Sequence, residues 1–150
     1  MCKLFRWSAA AIALVVLGAQ FVRPARTNPA VDPSRTLAVA RPMPPDVAGV
    51  LDRGCRDCHS NDTRWPWYSH VAPVSWFVID HVNHGRSHFN YSDWSRYEPD
   101  EATRLLKKTC ELAQERAMPL RSYTFIHRTA RLTPDDVRSL CAWTSLNLEP

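Results

Sequence analysis

Cys55-Arg56-Asp57-Cys58-His59 is the stretch from which the rest of the chain is read. It has the form C-x-x-C-H, the attachment sequence of a covalently bound c-type haem. Two thiols add across the two vinyl groups of one haem, so they must project from one side of the chain. Positions three apart on a helix do so. The histidine follows at once, so its imidazole reaches the iron of the haem its neighbours hold. A zinc site would bring a second ligand pair at short spacing. No second C-x-x-C exists, and Cys110 and Cys141 are isolated. A thioredoxin-like site would want a βαβ context, which the flanking sequence does not offer. The motif is therefore read as haem attachment: Cys55 and Cys58 hold one haem c, and His59 is the proximal iron ligand.

A chain of 150 residues is enough for one domain, and 45% hydrophobic content permits a real core. With 12 Pro and only 4 Gly, turns are built mostly with proline. The formal charge of +4 is unevenly placed: Lys3, Arg6, Arg23 and Arg26 lie in a first stretch without acids. Setting those four aside leaves as many basic residues as the 15 acidic ones. A neutral folded part argues against a nucleic-acid partner, which would want a basic face.

Met1 to Arg6 is a short basic region, and Trp7 to Val22 is almost wholly apolar until Arg23-Pro24 stops it. Residues 1–23 read as an export signal. The apolar run is shorter than the ~20 residues of a comfortable span, but Leu4, Phe5 and a snorkelling Arg6 bring it close. An uncleaved inner-membrane anchor is the preferred reading. Cleavage near Leu17-Gly18-Ala19 is the alternative. Either way the domain is expected on the periplasmic side. Residues 24–45, rich in Pro, Ala and Arg, read as a linker. Residues 46–150 read as the folded domain that binds the haem.

Within that domain, Val47, Val50, Leu51, Gly54 and Cys58 follow helical spacing from a candidate N-cap at Asp46. The apolar face thus runs into the cysteines. Ser60 to Thr63 is a polar turn. Arg64-Trp65-Pro66-Trp67-Tyr68 is a stiff aromatic slab, either ordinary packing or a cover in which Trp65 or Trp67 lies against the porphyrin. Pro73 to His84 reads as a helix with Pro73 in its first turn and Gly85 as its C-cap. His81 and His84 read as solvated or capping residues. Arg86 is a candidate partner for a haem propionate, since guanidinium suits carboxylate; a surface arginine is the alternative. Ser87 to Glu98 is an aromatic loop, and Pro99 to Arg116 is an amphipathic helix. Tyr123 to Ala130 reads as a short helix. Thr133-Pro134-Asp135-Asp136 starts a last helix running to about Asn147. Nothing alternates as a strand. The expected fold is all-α: a cytochrome c-like bundle of four to five short helices around one haem, behind an N-terminal hydrophobic helix.

For the far face of the iron, Met118 follows a helix and precedes Pro119, which cannot continue the helix and fixes the path of the loop. Plain core filling by Met118 stays open beside ligation. His127, His70 and an empty position are the rivals, and Met43, between prolines in the linker, is a weaker candidate.

Several runs together resemble the bacterial haem-binding domain family, small cytochrome c-like proteins behind one N-terminal hydrophobic segment. They are Cys55-Arg56-Asp57-Cys58-His59-Ser60-Asn61, Trp65-Pro66-Trp67-Tyr68, Ala72-Pro73-Val74-Ser75-Trp76 and Gly85-Arg86, then Met118-Pro119-Leu120 with Tyr123, His127, Ala130, Leu132 and Trp143. The end of the apolar segment, Gln20-Phe21-Val22-Arg23-Pro24, is similar too. The likeness covers about residues 46 to 147. It implies covalent haem on Cys55 and Cys58, His59 as proximal ligand, and more weight on Met118 as the second iron ligand. Cys110 and Cys141 depart from the family pattern. Two buried free thiols is the simpler reading, and a disulfide in an oxidising compartment the other.

The function expected is electron transfer by a membrane-tethered periplasmic monohaem protein, which implies a redox partner protein that the sequence does not name. The alternatives are a ligand sensor with a displaceable Met118 and a small peroxidase using His127 or His70 as its distal acid–base group. No second catalytic centre is suggested by paired carboxylates or a Ser/His/Asp set.

Overall fold

The computed structural model describes residues 2–148, and every regular element among them is helical. In chain order the α-helices are α1 (Cys2–Ala19), α2 (Leu37–Ala40), α3 (Pro45–Gly54), α4 (Arg56–His59), α5 (Val74–His88), α6 (Pro99–Gln114), α7 (Arg121–Ile126) and α8 (Pro134–Leu146). Four short 3-10 turns lie between them. The all-α class is as expected, but among the described residues six α-helices, α3 to α8, make up the domain rather than four or five, with α2 before them and α1 as the N-terminal helix. One reason is local. The single helix expected over 46–58 is interrupted at Cys55, whose φ of −124° leaves helical geometry.

Proline sets the starts. Pro45, Pro99 and Pro134 occupy the first turns of α3, α6 and α8, where a missing N–H costs nothing and the fixed φ suits a helix. Pro44, not Asp46, is the N-cap of α3. α8 carries a full capping box, Thr133 and Asp136 bonding each other's backbone N–H.

The core is built where α3, α6 and α8 meet. Val47, Val50 and Leu51 of α3 pack with Ala102, Leu106 and Ala113 of α6 and with Leu140 and Trp143 of α8. Phe89 and Trp94 close it from the loop after α5. Cys110 of α6 and Cys141 of α8 are joined as a disulfide, with Cα atoms 4.9 Å apart. They are a covalent clamp rather than the pair of buried thiols that was the simpler expectation. Their helix faces meet, and the Cα separation is that of ordinary disulfides.

Residues 24–45, expected as a linker, also pack. Leu37 is 1% exposed and belongs to the core. Met43 packs against the core, and the Trp143 indole N–H donates to the Pro42 carbonyl. α1 ends at Ala19 instead of running to Val22, and its apolar side chains, Leu4 to Leu17, are exposed. No helix among the described residues is long and apolar enough to cross a membrane.

Candidate functional site

The C-x-x-C-H stretch is held by its two variable residues. Arg56 pairs with Asp52 one turn earlier, at 2.7 Å, and with Asp62. Asp57 accepts from the backbone and side chain of Arg64 through Oδ1 and from the Tyr123 hydroxyl through Oδ2, the last at 2.7 Å. Tyr123 stacks on His127, whose Nε2 lies 2.6 Å from the Tyr68 hydroxyl. Arg56 and Asp57 are thus engaged with the protein. Cys55, Cys58 and His59 are left to face the other way.

They face a cavity of about 570 Å³. α3 and α4 give it Gly54, Cys55, Cys58 and His59. α5 and the residue after it give His81, His84, Gly85, His88 and Phe89. α6 gives Leu105, Lys108, Thr109, Leu112 and Ala113. The far wall is Met118, Pro119, Leu120, Tyr123, Leu132 and Leu140. The lining is mostly apolar, with few polar groups, and the size is that of a small-molecule or cofactor site.

Gly85 makes this geometry possible. It lies inside α5, which runs on to His88, and is not the C-cap expected. A β-carbon there would overlap the Cys58 carbonyl oxygen and sit 3.0 Å from the Cys58 β-carbon. Only a glycine lets α5 cross so close to the attachment helix.

Nδ1 of His59 lies 3.0 Å from the Phe89 carbonyl oxygen, an acceptor, so the ring carries its proton there. That leaves the Nε2 lone pair for a metal. Burial holds the imidazole below its ordinary value, against its backbone hydrogen bonds, and so keeps it neutral. Burial also pushes the Cys55 thiol up to about 12 and Cys58 to about 11, with the Asp57 carboxylate adding to the second. Thiols held this high are not the acidic thiolates of reactive redox cysteines.

Met118 is delivered by the end of α6. Arg116 turns left-handed at φ 56°, and the Ala117 and Met118 N–H groups both donate to the Leu112 carbonyl. The chain thereby stops as a helix and folds back along the cavity.

The structure therefore brings Cys55, Cys58, His59 and Met118 to one cavity. It does not bring the other expected residues there. Trp67 is 79% exposed, and the Trp65 indole N–H donates to Asn28. The Arg86 guanidinium donates to the Ser60 and Thr27 carbonyls, to Asn28 and to Thr63, and it does not line the cavity. His127 is bound to Tyr68, and His70 lines a separate small pocket beside Gln20. Sequence reasoning missed His81, His84 and His88 as lining residues, along with Lys108. Their spacing of three and four along one helix was the available signal.

The residues present fit a haem. The cavity is apolar, a neutral imidazole offers one free nitrogen, two thiols stand beside it at attachment spacing, and a thioether sulfur belongs to the same lining. Exposed Lys108, His84 and His88 stand on the solvent side, where carboxylates would remain hydrated. No significant match to a curated protein or to a solved structure is found. Across residues 14–146, from within α1 to the end of α8, the chain matches the model of the haem-binding domain family, and it belongs to that family.

Proposed function

We propose that this protein is a membrane-tethered, periplasmic monohaem electron carrier, with haem c joined to Cys55 and Cys58 and its iron held by His59 and Met118. The observation that carries the reading is the convergence of those four side chains on one apolar cavity. The bound haem supplies one-electron chemistry. The chain's own residues do the rest. Phe89 fixes the His59 tautomer through its carbonyl. Arg56, Asp57 and Tyr123 hold the attachment turn. Leu105, Leu112, Leu120, Leu132 and Leu140 line the cavity and exclude water. His/Met ligation raises the potential relative to a bis-His pair and suits electron transfer.

Two features support the location. The Cys110–Cys141 disulfide suits an oxidising compartment. The exposed apolar side chains of α1, behind a basic start, suit insertion into a bilayer.

The test is the visible spectrum of the holoprotein, oxidised and reduced, for wild type and Met118→Ala. The expected result is a thioether-linked, low-spin haem whose sulfur-to-iron charge-transfer band is lost in the variant. An unchanged variant spectrum rejects Met118 as ligand, and high-spin reduced iron in the wild type rejects the electron-carrier reading.

A further inference from the structure

We propose that the domain seats on the bilayer through an apolar shelf formed by Val71, Val74 and Phe77, beside the foot of α1. The inference rests on the membrane-tether reading above.

The chain leaving α1 is fixed to this part of the domain. The Gln20 carboxamide makes a reciprocal pair with the Ala72 backbone, both bonds 3.0 Å long. The Trp76 indole N–H donates to the Val22 carbonyl at 2.7 Å, and Arg26 donates to the Ser69 carbonyl at 2.7 Å. A tether ending in a floppy linker would leave the domain's orientation free. Here residues 20–26, after α1, are joined to residues 69–76, around the start of α5, by four hydrogen bonds from three side chains.

Around that joint an apolar group stands among exposed Arg23, His70 and Asp80, where a solvent face would be wholly polar. Ala72, Ser75 and Ile79 turn inward and are buried. Val71, Val74 and Phe77 turn outward, 44%, 45% and 51% exposed. Phe21 and Val22, at 88% and 59%, continue the same surface towards α1. Exposed apolar residues grouped in this way mark a contact surface. Its continuity with the exposed apolar α1 selects lipid as the occupant, and Arg23 at the joint suits anionic headgroups. α1, at 18 residues, is about 27 Å long against a hydrocarbon core of about 30 Å. A second contact at the interface compensates for a short first one. The seat also sets an orientation. α5 leads from the shelf to the cavity rim, and His88 lies about 16 Å along it from Phe77. The near end of the cavity is close to the shelf, because Phe77 packs on His81, a lining residue, with ring centroids 4.0 Å apart; the far rim at His88 is the end held away from the lipid.

The test uses the full-length, haem-loaded chain in vesicles of phosphatidylethanolamine and phosphatidylglycerol, in a Cys2→Ser background. A bimane fluorophore is placed on Val74→Cys in one preparation and on Arg138→Cys, on exposed α8 surface, in another. Each chain is checked by its haem absorption. Lipids brominated near the headgroup are the quenchers. The expected result is loss of most emission at position 74 and none at 138. If the chain floats with the vesicles but neither label is quenched, the shelf is overturned and the tether stands. Quenching at both positions also overturns the shelf, because it shows general embedding. If the chain does not float with the vesicles, the tether reading fails and takes the shelf with it.

Discussion

Gly85 touches the backbone of Cys58 so closely that the helix carrying it has no room for a side chain at that point. The contact fixes α5 against α4, and α5 in turn supplies the Phe89 carbonyl that sets the His59 tautomer. Gly85→Ala must push the two helices apart, because the atom it meets is backbone and cannot rotate away. Overpacking of this kind costs about 1–3 kcal/mol. The variant is expected to unfold at lower denaturant concentration and to take up less haem in the cell. Equilibrium unfolding of the holoprotein and the haem-to-protein absorbance ratio measure the two effects.

Arg86, in sequence either a partner for a propionate or a surface arginine, is engaged in the structure with Ser60, Thr63, Thr27 and Asn28. It ties the segment after α1 to the turn after the attachment motif. Lysine keeps the charge but cannot make a fork of several directed bonds. Arg86→Lys is expected to lower stability by about 1.5–3 kcal/mol, the scale of a lost charged hydrogen bond. The haem spectrum and reduction potential should remain those of the wild type. A shifted potential with unchanged stability would restore the propionate role.

What was legible in the sequence was the chemistry carried by neighbours in the chain. Cys55, Cys58 and His59 lie within five residues, and their spacing already places them on one cavity. The capping box at Thr133 and the proline starts of α6 and α8 are equally local. What was not legible depends on distant partners. A glycine followed by a polar stretch looks the same whether it ends a helix or permits a crossing, so Gly85 reads as a C-cap from the sequence. Leu37 opens a short Leu37-Ala38-Val39-Ala40 run in a Pro-rich stretch without lasting period, and only the tertiary structure shows Leu37 buried and Val39 exposed. Aromatic residues announce packing without direction, so the sequence leaves Trp65 and Trp67 between a haem cover and ordinary packing, and neither lines the cavity. His81 and His84 read singly as solvated or capping residues and His88 falls in an aromatic loop, though together they mark one edge of the cavity.

The Cys110–Cys141 disulfide joins α6 to α8 across a sequence separation of 31 residues. Closing a loop of that size removes unfolded-state entropy equivalent to about 3–4 kcal/mol in the chain-entropy model. Cys110→Ser with Cys141→Ser is expected to lose stability of that order while keeping the haem spectrum, because neither cysteine lines the cavity. Thiol counting under denaturing conditions, before and after reductant, provides the companion measurement. Two extra thiols before reduction would show that the bond does not form.

Acid should loosen the attachment region from its polar side. The hydrogen bond from Arg56 holds the Asp52 carboxyl below its ordinary 3.8, with Arg64 adding to the effect. Asp136 is also lowered: burial pushes it up, but bonds from Arg53 and from Thr133 outweigh that. Both groups bind protons less readily folded than unfolded. Their stabilising contribution is therefore complete above the ordinary value and is lost as pH falls through the depressed folded values. Stability from these pairs should be flat between about pH 5 and 7 and decline below about 4. Asp52 ties α3 to the attachment turn, and Asp136 ties α8 to Arg53 at the end of α3. Asp52→Asn removes one of the two titrations. The variant is expected to be less stable at neutral pH and to show a shallower acid limb, so that its difference from wild type narrows as pH falls. Denaturant midpoints collected across the acid range test this, and a difference that stays constant with pH would show that the Asp52 pair contributes nothing through its charge.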